Sequence, residues 1–230
     1  MTEPAPPHRP APPGPPKKPH PTTEERQALP SFVGLPLEAL KLLSDPAELA
    51  QAIERMQAAK YVGFDTESKP SFVAGQSTGG PHLIQLALPE VVYLIPTRHT
   101  ALMGQLKQLL ESAQIVKVGF GLSSDRSPLL RNHGIALNGI IDLAEPLKAL
   151  GYKNELGAQA AVAVVLKQNL RKSKRMTMSN WQKARLEPAQ IQYAADDALA
   201  ALRVFEALGR PVPAPKKKKP RPRRPAAPRD

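Results

Sequence analysis

Three acidic clusters follow one another along the chain: Phe64-Asp65-Thr66-Glu67, then Val118-Gly119-Phe120-Gly121-Leu122-Ser123-Ser124-Asp125, then Tyr193-Ala194-Ala195-Asp196-Asp197. Asp65 and Glu67 are one residue apart at the end of a short apolar run, and the two-residue period of a strand turns both side chains to one face. Two carboxylates that close resist joint ionisation unless a cation sits between them, so the pair is either a metal site or a solvated sheet edge. Tyr193 and Asp197 are four residues apart in a helical stretch, which puts phenol and carboxylate on one face, a single turn from each other. Asp196 is turned away by about 100° and is expected to cap the exposed side of that helix. Asp125 follows a strand and a glycine-containing turn, where it either caps the next helix or points into a site.

These residues need elements to carry them. Helical periodicity is predicted at Pro36–Leu43 and, behind an Asp-Pro start, at Asp45–Ala58, where Leu49, Ile53 and Met56 recur at three- and four-residue spacing. Tyr61–Asp65, His82–Leu88 and Val91–Pro96 are expected strands, the last two a hairpin across Pro89-Glu90. Alternation follows, with a helix at 99–112, a strand at Ile115–Val118, a helix at 124–133, a strand at 138–141, helices through Leu166 and a long final helix at Glu187–Leu208. Three strands followed by helix–strand alternation imply an α/β domain with a mixed sheet flanked by helices, the arrangement of ribonuclease-H-like folds. The Gly75–Gly80 loop precedes a strand and lacks the lysine of a phosphate loop, so it is expected to be a hairpin or rim.

The chain of 230 residues has 27 prolines, of which ten lie in residues 1–22 and seven in residues 211–230. Almost nothing large and apolar accompanies them, so a disordered Pro-rich tail is expected at 1–28, one folded domain at 29–209 and a basic tail at 210–230. The formal charge is +12, and the last twenty residues carry Lys216 to Lys219, Arg221, Arg223, Arg224 and Arg229 against Asp230. Such a segment is drawn to phosphate backbones without reading sequence, or serves as a solubilising or sorting tail. The absence of cysteine excludes disulfides and thiolate metal sites and leaves oxygen ligands for hard cations such as Mg²⁺ or Mn²⁺. No His pair has zinc-site spacing. No apolar run reaches the ~18 residues of a membrane span and none resembles a signal peptide, so a cytoplasmic or nucleoid-associated protein is expected, with no membrane partner. The proline-rich ends could dock protein partners as extended polyproline segments.

Taken together, Asp65-x-Glu67, the later Asp125 and Tyr193-x-x-x-Asp197 resemble the three motifs of the DEDD 3′→5′ exonucleases, in their tyrosine-bearing branch. The similarity spans about residues 45–208. It includes Ser179-Asn180-Trp181, Leu186 and Gln190-Ile191-Gln192-Tyr193-Ala194-Ala195, a run that resembles the Werner-type exonuclease domain and related bacterial proteins. The histidine-bearing branch carries His one position before the tyrosine, where Gln192 stands. Ser68 and Asp196 depart from the family pattern. The resemblance implies that Asp65, Glu67, Asp125 and Asp197 hold two divalent cations, Mg²⁺ or Mn²⁺. It also implies that Tyr193 orients the attacking water and that nucleoside 5′-monophosphates leave from a 3′ end.

Phe72 is the nearest aromatic that could stack on a terminal base, and it is equally suited to a core position. Lys167, Arg171, Lys172, Lys174 and Arg175 could track a nucleic-acid backbone or form an ordinary solvated surface. Trp181 is assigned to packing against the final helix, with nucleic-acid contact as its other use, and Asp142 to a helix cap. The Werner-like second motif, together with the lack of a helical nucleic-acid-binding module after Leu208, favours DNA over RNA. Two alternatives stand beside this expectation: an RNA-trimming enzyme of the ribonuclease D kind, and a non-catalytic protein that binds nucleic acid.

Overall fold

Pro46 at the first turn and Asp45 ahead of it start a helix whose free amides are met by the aspartate: Asp45 Oδ1 accepts from Ala47 N at 2.7 Å and Glu48 N at 3.3 Å. This helix, α2 (Pro46–Ala59), ends where Lys60 turns left-handed at φ 67°. A computed structural model describes residues 17–70 and 79–211 of the protein. Phe72, residues 75–78 of the glycine loop, residues 1–16 and nearly all of the basic C-terminal run lie outside the described residues.

One mixed sheet of six strands organises the domain, in the order β1-β4-β3-β2-β5-β6. The strands are β1 (Leu40–Leu42), β2 (Tyr61–Glu67), β3 (Leu83–Leu88), β4 (Val91–Pro96), β5 (Val116–Gly119) and β6 (Ile140–Asp142). β2, β3 and β4 form an antiparallel meander, while β1 joins β4 and β5 and β6 join β2 in parallel. β3 and β4 are buried along their whole length, as strands covered on both faces must be. Against one face pack α2 and α3 (Met103–Glu111). Against the other lies α8 (Pro188–Ala207), which touches β2, β3, β4 and β5.

The contact of β2 with α8 places the site. Every second residue of β2 faces α8, and each meets a different level of the helix. The Tyr61 ring is 5.1 Å from the Phe205 ring. Gly63 lies so near that a Cβ there would come within 2.0 Å of the Ala198 carbonyl oxygen. Asp65 then falls within the field of Asp197, and Tyr193 within that of Glu67. Ala194, Ala195, Ala198 and Ala201, all buried, keep the helix close to the sheet.

Two expectations fail at the N-terminal side. Pro36–Leu43 is not a helix: a single 3₁₀ turn at Leu37–Ala39 leads into β1, because β4 offers a parallel partner for Leu40–Leu42. Residues 17–28, expected as tail, pack as a strap on the domain. Lys18 bridges to Tyr152 and Ser31 to Asn169, and between them Thr22 and Glu25 cap α1 (Thr23–Gln27) reciprocally, Thr22 N donating to Glu25 Oε2 at 2.7 Å and Glu25 N to Thr22 Oγ1 at 3.1 Å. The strap continues onto α8, where Phe32 lies 5.3 Å under the Arg203 guanidinium and Gln192 donates to Leu35 O at 3.2 Å.

Candidate active site

β2 delivers Asp65 and Glu67 to the face under α8, and Thr66 between them holds two carboxylates at once. Its backbone N–H donates to Asp65 Oδ1 at 2.9 Å, and its hydroxyl donates to Asp125 Oδ1 at 2.6 Å. Asp125 comes from the first turn of α4 (Ser123–His133), reached from β5 through Gly121, whose φ is 66°. A side chain is strained at such an angle, so glycine is suited to the turn. Asp125 is the third residue of α4, outside the N-cap position, which is Leu122, and its Oδ1 accepts from Thr66 instead. Asp142 is not the N-cap of α5 (Ala144–Leu147), which is Leu143; it accepts from Gly121 N and Ala144 N, both at 3.1 Å, and so ties the Gly121 turn to the start of that helix.

From α8, Asp197 enters almost wholly buried, with a side chain 3% exposed. Its Oδ2 stands 3.0 Å from Lys172 Nζ, an ion pair without hydrogen-bond alignment. Tyr193, one turn earlier, exchanges a hydrogen bond with Thr177 Oγ1 at 3.1 Å and lies 6.1 Å from the Trp181 ring. Lys172 Nζ also lies 5.9 Å from the centre of the Tyr193 ring. Asp196 is not on an exposed side, as its angle suggested. It is half-buried beneath Gly34, accepts from Gln192 Nε2 at 2.9 Å, and has a proton affinity raised to about 6 by burial.

The four carboxylates strain against one another. Burial and then the charges of Asp65 and Asp197 push Glu67 up to about 9. Burial raises Asp65 and Asp197 as well, with Asp197 adding to the shift at Asp65. Asp125 is raised by burial and partly restored by its Thr66 bond. Tyr193 is raised by burial and by Asp197, so its hydroxyl stays protonated at neutral pH. Burial alone would favour loss of the Lys172 proton, yet Asp197 and Asp65 hold it charged, above the ordinary lysine range. Lys172 is therefore the counter-cation of the cluster.

Among the described residues no group of three His, Asp or Glu side chains is already spaced to hold a metal ion. The donor chemistry nevertheless suits one. It is all oxygen and anionic, and Asp197 Oδ2 is buried outside any hydrogen bond. Asp65, Glu67, Asp125 and Asp197 are the residues that could hold it, with the Lys172 ammonium displaced from Asp197.

Of the residues expected to meet nucleic acid, Lys172 is at the site itself, while Lys174 and Arg175 are exposed on α7 (Lys174–Thr177). Trp181 is 1% exposed and packs with Leu186, Ala194 and Ala195, which leaves its ring no open face for a base. Thr66 and Thr177 were missed as contributors. The short Asp-Thr-Glu triplet carried a hint of the first, and nothing local pointed to the second.

Residues 40–213 match the family of 3′–5′ exonucleases. The chain is 32% identical over 170 residues to the bifunctional 3′–5′ exonuclease/ATP-dependent helicase WRN of Mus musculus, covering 72% of this chain and 12% of that protein. It is 30% identical over 172 residues to ribonuclease D of Xanthomonas oryzae pv. oryzae, covering 73% of this chain and 45% of that protein. The chain thus spans less than half the length of either relative. The exonuclease domain of Aedes aegypti Nibbler shares its fold, with a TM-score of 0.65 and 20% identity over 76% of this chain and 89% of that one. With that family match over residues 40–213 and these relatives, the chain belongs to the 3′–5′ exonuclease family of the DEDD type, whose members are nucleic-acid hydrolases.

Proposed function

We propose that this chain removes nucleotides from the 3′ end of nucleic acid, DNA in preference to RNA, with two divalent cations held by Asp65, Glu67, Asp125 and Asp197. The observation that carries the reading is the approach of Asp65, Glu67 and Asp197, from β2 and α8, to the Lys172 ammonium, with Asp125 of α4 tied to Thr66 between the first two. A cluster with raised proton affinities, and charge enough for more than one cation, is what a divalent site looks like before its metal arrives. When bound, two such cations acidify a water on one side of the phosphorus and stabilise the departing 3′ oxygen on the other.

The chain's own groups have distinct tasks in this reading. Asp65 and Asp197, the most enclosed, fix the centre, and Thr66 holds Asp125 beside Asp65 so that the outer ligand does not wander. Tyr193, anchored by Thr177, keeps its proton and orients the attacking water by a hydrogen bond rather than acting as base. Lys172 leaves Asp197 and becomes free to meet a phosphate oxygen. The DNA preference is supported by the Val118-Gly119-Phe120-Gly121 entry, which resembles Werner-type proteins, while similarity to ribonuclease D keeps RNA as the competing substrate.

Digestion of matched 5′-labelled DNA and RNA oligonucleotides, with Mg²⁺, Mn²⁺ or chelator, tests this directly. A metal-dependent ladder that shortens from the 3′ end, faster on DNA and lost in Asp65→Ala, is expected. Binding without any ladder would show a protein that retains nucleic acid but does not cut it.

A further inference from the structure

The N-terminal strap, which precedes the family match at residue 40, makes one wall of a cleft of about 660 Å³. Arg26 and Gln27 line it from α1, Gln159 from α6 (Ala158–Ala161), and Asn169, Arg171 and Lys172 from the segment that leads into α7. All its lining residues are cationic or neutral, and none is a carboxylate. A smaller cavity of about 230 Å³ continues between Arg26, Gln159 and Lys172. Lys172 belongs to both, and its ammonium end is the one that stands 3.0 Å from Asp197. Lys172 is thus the side chain shared between the cleft and the acidic cluster.

Arg26 is held for contact rather than left to sweep through solvent. Its Nη1 donates to Pro21 O at 2.7 Å and its Nη2 to Thr23 Oγ1 at 3.2 Å, which uses two of the five guanidinium N–H groups. The strap that carries it is pinned at both ends by backbone pairing, Lys18 N to Gly151 O at 2.9 Å and Phe32 N to Asn169 O at 3.0 Å. Fixed cations, amide side chains and the absence of carboxylates match a polyanionic chain whose bases are not read.

We propose that this cleft binds the phosphodiester backbone of the substrate strand beyond the nucleotide being removed, with Arg26 and Arg171 contacting successive phosphates and Lys172 handing the strand to the acidic cluster. This rests on the exonuclease reading, but binding can be measured apart from cleavage. The chain's own N-terminal strap thus adds a subsite to the exonuclease domain.

The test compares the full chain with Arg26→Ala/Arg171→Ala and with Arg26→Glu. Thermal unfolding verifies that each variant is folded. Fluorescence anisotropy with a single-stranded 20-mer, in chelator and over a range of salt, should show ~10-fold weaker binding for the double alanine variant. Its plot of log affinity against log salt should be shallower by about 1.4, the value for two single-strand phosphate contacts, against the constant contribution of the basic C-terminal run. Turnover of the p-nitrophenyl ester of thymidine 5′-monophosphate, which has no phosphate beyond the scissile one, should be unchanged. Unaltered 20-mer binding and salt slope, or an equal loss on both substrates, would overturn the cleft as a backbone subsite. A wild-type chain that binds with the expected slope but cleaves neither substrate would overturn the exonuclease reading and leave the cleft standing.

Discussion

Lys117 and Lys172 each carry an ammonium into the fold, among neighbours of opposite kinds. Lys117 is 0% exposed and donates to backbone carbonyls only: Ser112 O at 2.7 Å, Ile115 O at 2.8 Å and, more loosely, Leu109 O at 3.4 Å. Burial lowers its proton affinity to about 8. Lys172 has carboxylates for neighbours, and its proton affinity rises. The same chemical group is a fastener at the end of α3, where it gathers three backbone carbonyls, and a counter-cation beside Asp197, where a better cation can take its place. The two ammoniums differ in exposure, 0% for Lys117 against a 31% exposed Lys172 side chain, and in the sign of what surrounds them, which sets the direction of each shift.

Taking away the anion beside Lys172 should separate the two regions most. Asp197→Asn is expected to slow release of 3′-terminal nucleotides by ~10³-fold, the scale of losing one group that organises transition-state charge. A loss under tenfold in single-turnover assays would remove Asp197 from the centre. Next in size is Lys117→Met, which leaves buried carbonyls without a donor and should cost ~1–3 kcal/mol in urea unfolding, with activity per folded molecule unaltered. If that activity fell with stability, the end of α3 would be coupled to the site after all.

The mirror substitution, Lys172→Met, should raise Mn²⁺ affinity in calorimetric titration by ~3–10-fold, on the order of 1 kcal/mol, because the ion no longer displaces a resident cation. Unchanged affinity would mean that the lysine does not compete. The smallest effect concerns Glu67, whose folded proton affinity is raised from the ordinary 4.5 to about 9. The folded chain then holds a proton that the unfolded chain gives up, so this contribution to stability is whole below about pH 4.5 and is lost as pH rises toward about 9. In chelator the unfolding temperature should decline over that window, and Glu67→Gln should flatten the decline.

Most of the sheet and its helices was legible because it follows periodicity. β2 to β4, α2, α3, α4 and α8 all lie within a few residues of their expected bounds. Leu37, Leu40 and Leu43 repeat every third residue and imitate a helix, but a free edge of β4 makes two of them strand and loop. The strap was illegible for a different reason. Residues 17–33 are polar and proline-bearing, and what orders them is pairing with Tyr152 and Asn169, contacts that leave no local pattern. The five acidic and phenolic positions are singled out in the sequence by their order and spacing and by the family resemblance these carry. The partnership of Lys172 with Asp197 could not, since 25 residues and a change of direction separate them.

The near-contact of Gly63 with Ala198 has a consequence for the length of α8 that can face the sheet. Where a strand backbone meets a helix backbone with no side chain between, the helix has a datum and cannot creep along its own axis. One turn of travel, about 5.4 Å, would bring Tyr193 or Ala201 to the level of Asp65 in place of Asp197. A bare glycine thus acts as the gauge block of the acidic centre, setting its tolerance without contributing a single ligand atom.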